Sequence, residues 1–249
     1  MELYEAFISS VPAHLRVTMA VRGRYQAYVE TEGGAGLASL PLPGKKPYGD
    51  AVVCTDWLGK PLRDLAAQLG SDDMALSALG CAAVNAWFNR RESMEALGVT
   101  LYPPEIDEGD VFRTLEPECA GKLVSTIGHF HGGEKLAGMR ELRVFEKDPR
   151  PGDYPEREED RLLPGSDVVV ITGMALTNGT MPHILELCRD SQIVALSGPS
   201  VPVSPIWFDH GVTALFGTLC WNIPGCRKAM RYGGHKDTWK YVGKSVLRK

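Results

Sequence analysis

The chain has 249 residues, of which 44% are apolar and 23% charged. This is ordinary globular usage, which excludes a collagen-like, disordered or coiled-coil protein. The 27 basic against 31 acidic side chains leave a formal charge of −4, no electrostatic footprint for nucleic acid or an anionic membrane. No apolar run approaches the ~20 residues of a spanning helix, and Met1–Glu5 carries no basic or apolar leader, so a soluble, cytoplasmic protein is expected. Six cysteines stand at 54, 81, 119, 188, 220 and 226 without a Cys-x-x-Cys pair. They are expected to be reduced thiols, several of them core residues, with no structural zinc.

In chain order, residues 2–10 predict a short helix. Val17, Met19 and Val21, then Tyr25, Ala27 and Val29, alternate with other residues around Arg22-Gly23-Arg24, which predicts a β-hairpin turning at Gly23. A third strand follows at about 35–42. Pro61 opens a helix carrying Leu62, Leu65, Ala66 and Leu69 on one face, closed by Gly70. Ser71 is the predicted cap of the next helix, with Arg90 and Arg91 at its far end. Paired prolines in Tyr102-Pro103-Pro104-Glu105 end regular structure, so the boundary is placed there: an α+β domain over 1–102 and a second domain over 103–249.

The second domain has another rhythm. Strands are predicted near 122–127, 141–145, 167–171, 192–196 and 212–216. The run Val168-Val169-Val170-Ile171 is apolar throughout, as burial on both faces requires. Strands spaced by crossover-length segments predict an α/β fold with a doubly wound parallel sheet. The basic C-terminal stretch, Arg227 to Lys249 with Trp239 and Tyr241 interleaved, is expected to be a solvated segment.

Ligands of such sheets bind beyond the carboxyl ends of the strands. After the first comes Gly128-His129-Phe130-His131-Gly132-Gly133. Phe130 stands where a dinucleotide loop needs its second glycine, so a standard NAD site is not expected. His129 and His131, two apart, face the same way in an extended loop and can share a metal; a plain glycine-rich turn is the competing reading. Glu146 follows the second strand, where an acid accepts ribose hydroxyls or binds a metal or a cationic substrate group; an ordinary loop acid is the competing reading. Thr172-Gly173, then Asn178-Gly179-Thr180, lead from the third strand into a helix and offer caps or ligand contacts. Gly198-Pro199-Ser200 follows the fourth. No G-x-S-x-G elbow accompanies Ser200, so a hydrolase nucleophile is not expected there. His183 and Glu186, three apart, form a predicted surface pair.

The joint spacing of Val168–Gly173, Asn178-Gly179-Thr180, Gly198-Pro199-Ser200 and Gly211-Val212 to Gly217 resembles the heavy-metal-chelation domain family, and Glu146 fits that pattern. Its members commonly carry a companion similar to the N-terminal domain of enolase. Residues 15–90, with Ala83-Val84-Asn85-Ala86, look like that companion. The resemblance implies a Rossmann-like C-terminal domain and a pocket where the domains meet, with metal chelation as a proposed role. The family's aromatic–proline pair after the first strand is replaced here by Phe130-His131.

Three functions are therefore carried forward. The first is binding of a divalent transition metal or its small-molecule chelate in an interdomain cleft. His129, His131 and Glu146 would be donors there, and Asn85, Gly128, Phe130, Thr172, Gly173, Asn178, Gly179, Thr180, Gly198, Pro199 and Ser200 would line it. The second is an enzyme with a nucleotide-like cofactor such as S-adenosylmethionine at the sheet edge. The third is a small-molecule carrier without turnover. The reaction and the oligomeric state stay open.

Overall fold

The computed structural model describes residues 2–42, 46–130, 138–232 and 235–249. Helix α1 (Glu2–Ser10) buries Leu3 and Phe7. Strands β1 (Val17–Arg22), β2 (Gln26–Thr31) and β3 (Gly34–Ser39) run antiparallel. The short β4 (Val52–Val53) pairs with β1, giving the order β3-β2-β1-β4. The expected hairpin forms, with Arg22 opposite Ala27. Gly23 serves close approach at the turn: a Cβ there would stand 2.8 Å from the Gln26 carbonyl oxygen and 2.9 Å from Met230 Cε.

Helices α2 (Leu62–Ala66) and α3 (Met74–Phe88) follow. Asp73, rather than Ser71, caps α3 by accepting from the Ala75 and Leu76 N–H groups. Ser71 lies two residues too early, and its hydroxyl accepts from Asp73 N–H instead. Arg91 begins α4 (Arg91–Ala96) and does not close α3. Helix α3 lies directly on β3. A Cβ on Gly34 would come within 2.3 Å of the Ala86 oxygen, and one on Gly36 within 2.2 Å of the Ala82 oxygen.

The larger sheet has eight strands among the described residues. They are β5 (Thr100–Tyr102), β6 (Leu123–Ile127), β7 (Glu141–Glu146), β8 (Tyr154–Pro155), β9 (Val168–Thr172), β10 (Ile193–Ser197), β11 (Ala214–Cys220) and β12 (Val242–Arg248). The order is β5-β12-β11-β10-β9-β6-β7-β8. Strands β8, β7, β6, β9, β10 and β11 are mutually parallel. Numbered by themselves they run 3-2-1-4-5-6, the doubly wound order whose direction reverses between its first and fourth strands. Helix α5 (Val111–Cys119), capped by Asp110, packs on the face bearing Val124, Val168, Val170, Ala195 and Phe216. The opposite face, with Val169, Ile171, Leu196 and Leu215, packs on α1 and α3 and on α7 (Met174–Thr177) and α8 (Met181–Leu187).

Two expectations fail at the far edge. The basic C-terminal stretch is not a solvated segment. It forms α9 (Ile223–Tyr232), α10 (His235–Thr238) and β12, the last inserted antiparallel between β11 and β5. Its charges alternate, as a strand's do: Lys244 pairs with Asp107 at 3.3 Å and Arg248 with Glu118 at 2.7 Å, while Ser245 between them is buried. In addition, Thr100–Tyr102, placed in the first domain by the prolines that follow, is an edge strand of the second sheet. One hydrophobic core runs through both parts of the chain, from Phe7, Ala82 and Ala86 to Ile171, Leu196 and Leu215.

Candidate functional site

The carboxyl edge of the parallel strands has two halves, of which the one at β9–β11 is sealed. On the β9–β11 side the N-terminal part is stitched down. Asn85, fully buried on α3, donates from Nδ2 to the Leu37 oxygen at 2.7 Å and the Pro199 oxygen at 2.9 Å. The Ser200 hydroxyl, 1% exposed, accepts from Ser39 N–H at 2.8 Å. Asn89 donates to the Val201 and Thr218 oxygens and accepts from Val203 N–H. A Cβ on Gly173 would lie 2.9 Å from Ser200 C. The structure thus brings Asn85, Gly173, Pro199 and Ser200 together as sequence reasoning expected, but in a packed seam rather than around a hollow.

The segment after β9 caps itself. Thr172 Oγ1 accepts from Met174 N–H, and Asn178 Oδ1 accepts from both the N–H and the hydroxyl of Thr180. Gly179 takes a φ of +83° that side chains rarely adopt, closing this turn before α8. Gly198 likewise turns with positive φ, and its N–H reaches the Phe216 oxygen. His183 does not meet Glu186. It pairs with Asp160 at 2.6 Å, while Glu186 faces Arg189.

The other half lies over β6, β7 and β8, beside the reversal between β6 and β9. Gly128 leaves β6 with a φ of +93°, and a Cβ there would press on Thr172 Cγ2 at 3.3 Å. This turn directs His129 N–H onto Glu146 Oε1 at 2.9 Å. The His129 ring reaches Asp153 through Nε2 at 2.8 Å, and Asp153 also accepts from Arg150 N–H. Burial works against the Asp153 charge, but the Arg150 N–H and the His129 ring together hold its carboxyl below the usual range. Phe130 turns away, edge-on to Phe112 of α5 at 5.7 Å between centroids. His131 lies outside the described residues.

Asp153 escaped sequence reasoning because it precedes a two-residue strand; the Gly152-Asp153 turn was its one visible signal. Among the described residues no group of three or more His, Cys, Asp or Glu is arranged to hold a metal ion. The His129 ring nitrogen is engaged by Asp153 and Glu146 by a backbone donor. These residues do not fit a complete cage for a bare ion. All six cysteines are free thiols, and burial pushes Cys81 above the usual thiol range. No described helix is long and apolar enough to cross a membrane.

Fold and edge together define a two-part α/β protein: a parallel-rich sheet with polar residues at its reversal point, and a smaller antiparallel sheet sealed against it. The chain belongs to the DUF364 family, whose model, described as "Putative heavy-metal chelation", matches residues 110–249. A second model with the same description, DUF4213, matches residues 4–88. An uncharacterised protein of Methanocaldococcus jannaschii, MJ0500, is 26% identical over 191 residues, covering 75% of this chain and 71% of its own. A crystal structure of a DUF364 protein of unknown function from Desulfitobacterium hafniense DCB-2 superposes with a TM-score of 0.85 at 26% identity, covering 100% of this chain and 97% of the other. Another, from Pyrococcus horikoshii, gives 0.79 at 19% identity, covering 99% and 98%, and shares the fold.

Proposed function

We propose that the protein binds a small molecule that itself carries a metal ion, at the sheet edge beside His129, Glu146 and Asp153. The observation that supports this most is the His129–Asp153 pair, fixed through Glu146 at the reversal point of the sheet, where doubly wound sheets take their ligands. No group of three described donors is arranged to hold an ion there, so the carried molecule supplies most of the ion's ligands and the His129 imidazole, a borderline donor, adds to them. The family description of heavy-metal chelation agrees in kind. Titration of the purified protein with Ni²⁺-nitrilotriacetate, Fe³⁺-citrate and each metal alone tests the reading. The chelates are expected to bind more tightly than the bare ions, and His129→Ala to weaken them at least tenfold. Equal responses of wild type and His129→Ala to every probe overturn it.

A second reading rests on Glu146 itself. It ends the second parallel strand of a 3-2-1-4-5-6 sheet, the place from which an acidic side chain holds ribose hydroxyls. A thermal shift with S-adenosylmethionine that Glu146→Ala abolishes, together with no response to metal chelates, would decide for a nucleotide-like cofactor.

A further inference from the structure

Cys220 ends β11, and Cys226 stands in the first half of α9. The chain folds both round one atom, the carbonyl oxygen of Tyr241 just ahead of β12. The Trp221 and Asn222 N–H groups donate to it at 2.9 and 3.2 Å, and Cys226 Sγ lies 3.3 Å from it. Cys220 is registered against Val242, the next residue of that strand. Both cysteines pack in the same small cluster, with Val21 and Tyr28 of the antiparallel sheet and with Met230 and Val242. There the Cys220 thiol hydrogen-bonds to the Cys226 sulfur. Cys226 is fully buried, whereas Cys220 is partly exposed. Cys54, Cys81, Cys119 and Cys188 have no second cysteine among the groups that act on them.

We propose that Cys220 and Cys226 form an oxidative modification site, which closes to a disulfide within the chain on meeting a low-molecular-weight disulfide. Thiols that already touch point at each other, as the bond requires. The Cys220 sulfur gives its proton to water and attacks one sulfur of the small disulfide, whose own S–S bond breaks and releases one thiolate. The Cys226 sulfur, deprotonated in turn, attacks the Cys220 sulfur and expels the second. The chain loses two hydrogens and two electrons, and the reagent is reduced to two thiols. Dithiols that resist oxidation keep their reduced form stabilised as a thiolate. Here the hydrogen bond to Cys226 and burial work against the Cys220 thiolate, so that stabilisation is missing, and the disulfide buries no charge. Closure costs the Tyr241 oxygen little, because two backbone donors remain on it. The bond would tie the end of β11 to the helix carrying Arg227, the residue that holds Glu30 of β2. Oxidation therefore braces the joint between the two parts of the chain, independently of the His129 edge.

Incubation of the full chain with cystamine, followed by unfolding in iodoacetamide and mass measurement of proteolytic fragments, tests it. Cys220 and Cys226 are expected to be joined, two hydrogens lighter than the free thiols, while Cys81, Cys119 and Cys188 are alkylated. Dithiothreitol should restore both thiols. The closed bond is expected to raise the melting temperature by roughly 3–6 °C. Cys220→Ser, a change at the partly exposed position, should show neither the cross-link nor the shift. Alkylation of both sulfurs after exposure of the wild-type chain overturns the proposal. So does a cystamine half retained on Cys220 with Cys226 free, a cross-link that appears only once denaturant is present, or a cross-linked chain that melts below the reduced one.

Discussion

Glu159 opens α6 (Glu159–Leu162) and is 7% exposed. Burial, then the nearby Glu156 carboxylate, raises its pKa from 4.5 to about 7, with His183 and Lys147 opposing. The sign follows from linkage. Between the two values the folded state holds a proton the unfolded chain has released, so stability is full below 4.5 and is lost as pH rises through about 7. At about 1.4 kcal/mol per unit, the loss is of order 3 kcal/mol. Glu159→Gln removes the titration while keeping the shape. Urea denaturation of both proteins at pH 5, 6, 7 and 8 isolates this group, because every other titration cancels in the difference. The two are expected to be nearly equal at the acid end, with the variant more stable by about 2–3 kcal/mol at pH 8. A difference that stays constant across this range refutes the reasoning.

Two further substitutions probe the seam and the buried ion pair. Asn89→Ala strips three backbone groups, at Val201, Val203 and Thr218, of their partner; a loss of about 3 kcal/mol in chemical denaturation is expected. Glu30 is 4% exposed in its side chain, accepts from Tyr28 and is held by Arg227 Nε at 2.7 Å. Arg227→Met leaves that carboxylate unpaired and should cost about 2–4 kcal/mol, whereas the paired change Glu30→Gln with Arg227→Met should recover much of it.

The parallel strands were legible because their residues are apolar beyond what alternation allows: Val168 to Ile171 are buried on both faces. The hairpin was legible through its period of two. Strand β8 was not, since two residues, one of them proline, carry no period. Strand β12 was hidden by the same alternation that builds it, because Lys244 and Arg248 turned outward make the segment look merely basic. Gly128, His129 and Glu146 drew notice from their places after predicted strands, and the structure sets His129 against Glu146. The partner of the His129 ring drew none, because Asp153 lies 24 residues on in a loop without pattern. Asn85 and Ser200, expected to line a cleft between the two parts, lie instead in the packed seam between them. What they do there depends on Leu37, Ser39 and Pro199 backbone groups, and backbone partners leave no trace in a sequence.

Helix α3 is clothed on every side: ten consecutive residues, Ser77 to Ala86, are shielded from water, and glycines on β3 admit its backbone. Such a helix has no face to show a solvent. Synthesised without residues 110–249, the segment 4–88 would present a greasy flank and should precipitate, or recruit a replacement. A gene fission between the two matched regions would survive only if the fragments reassembled as subunits, each completing the other's interior.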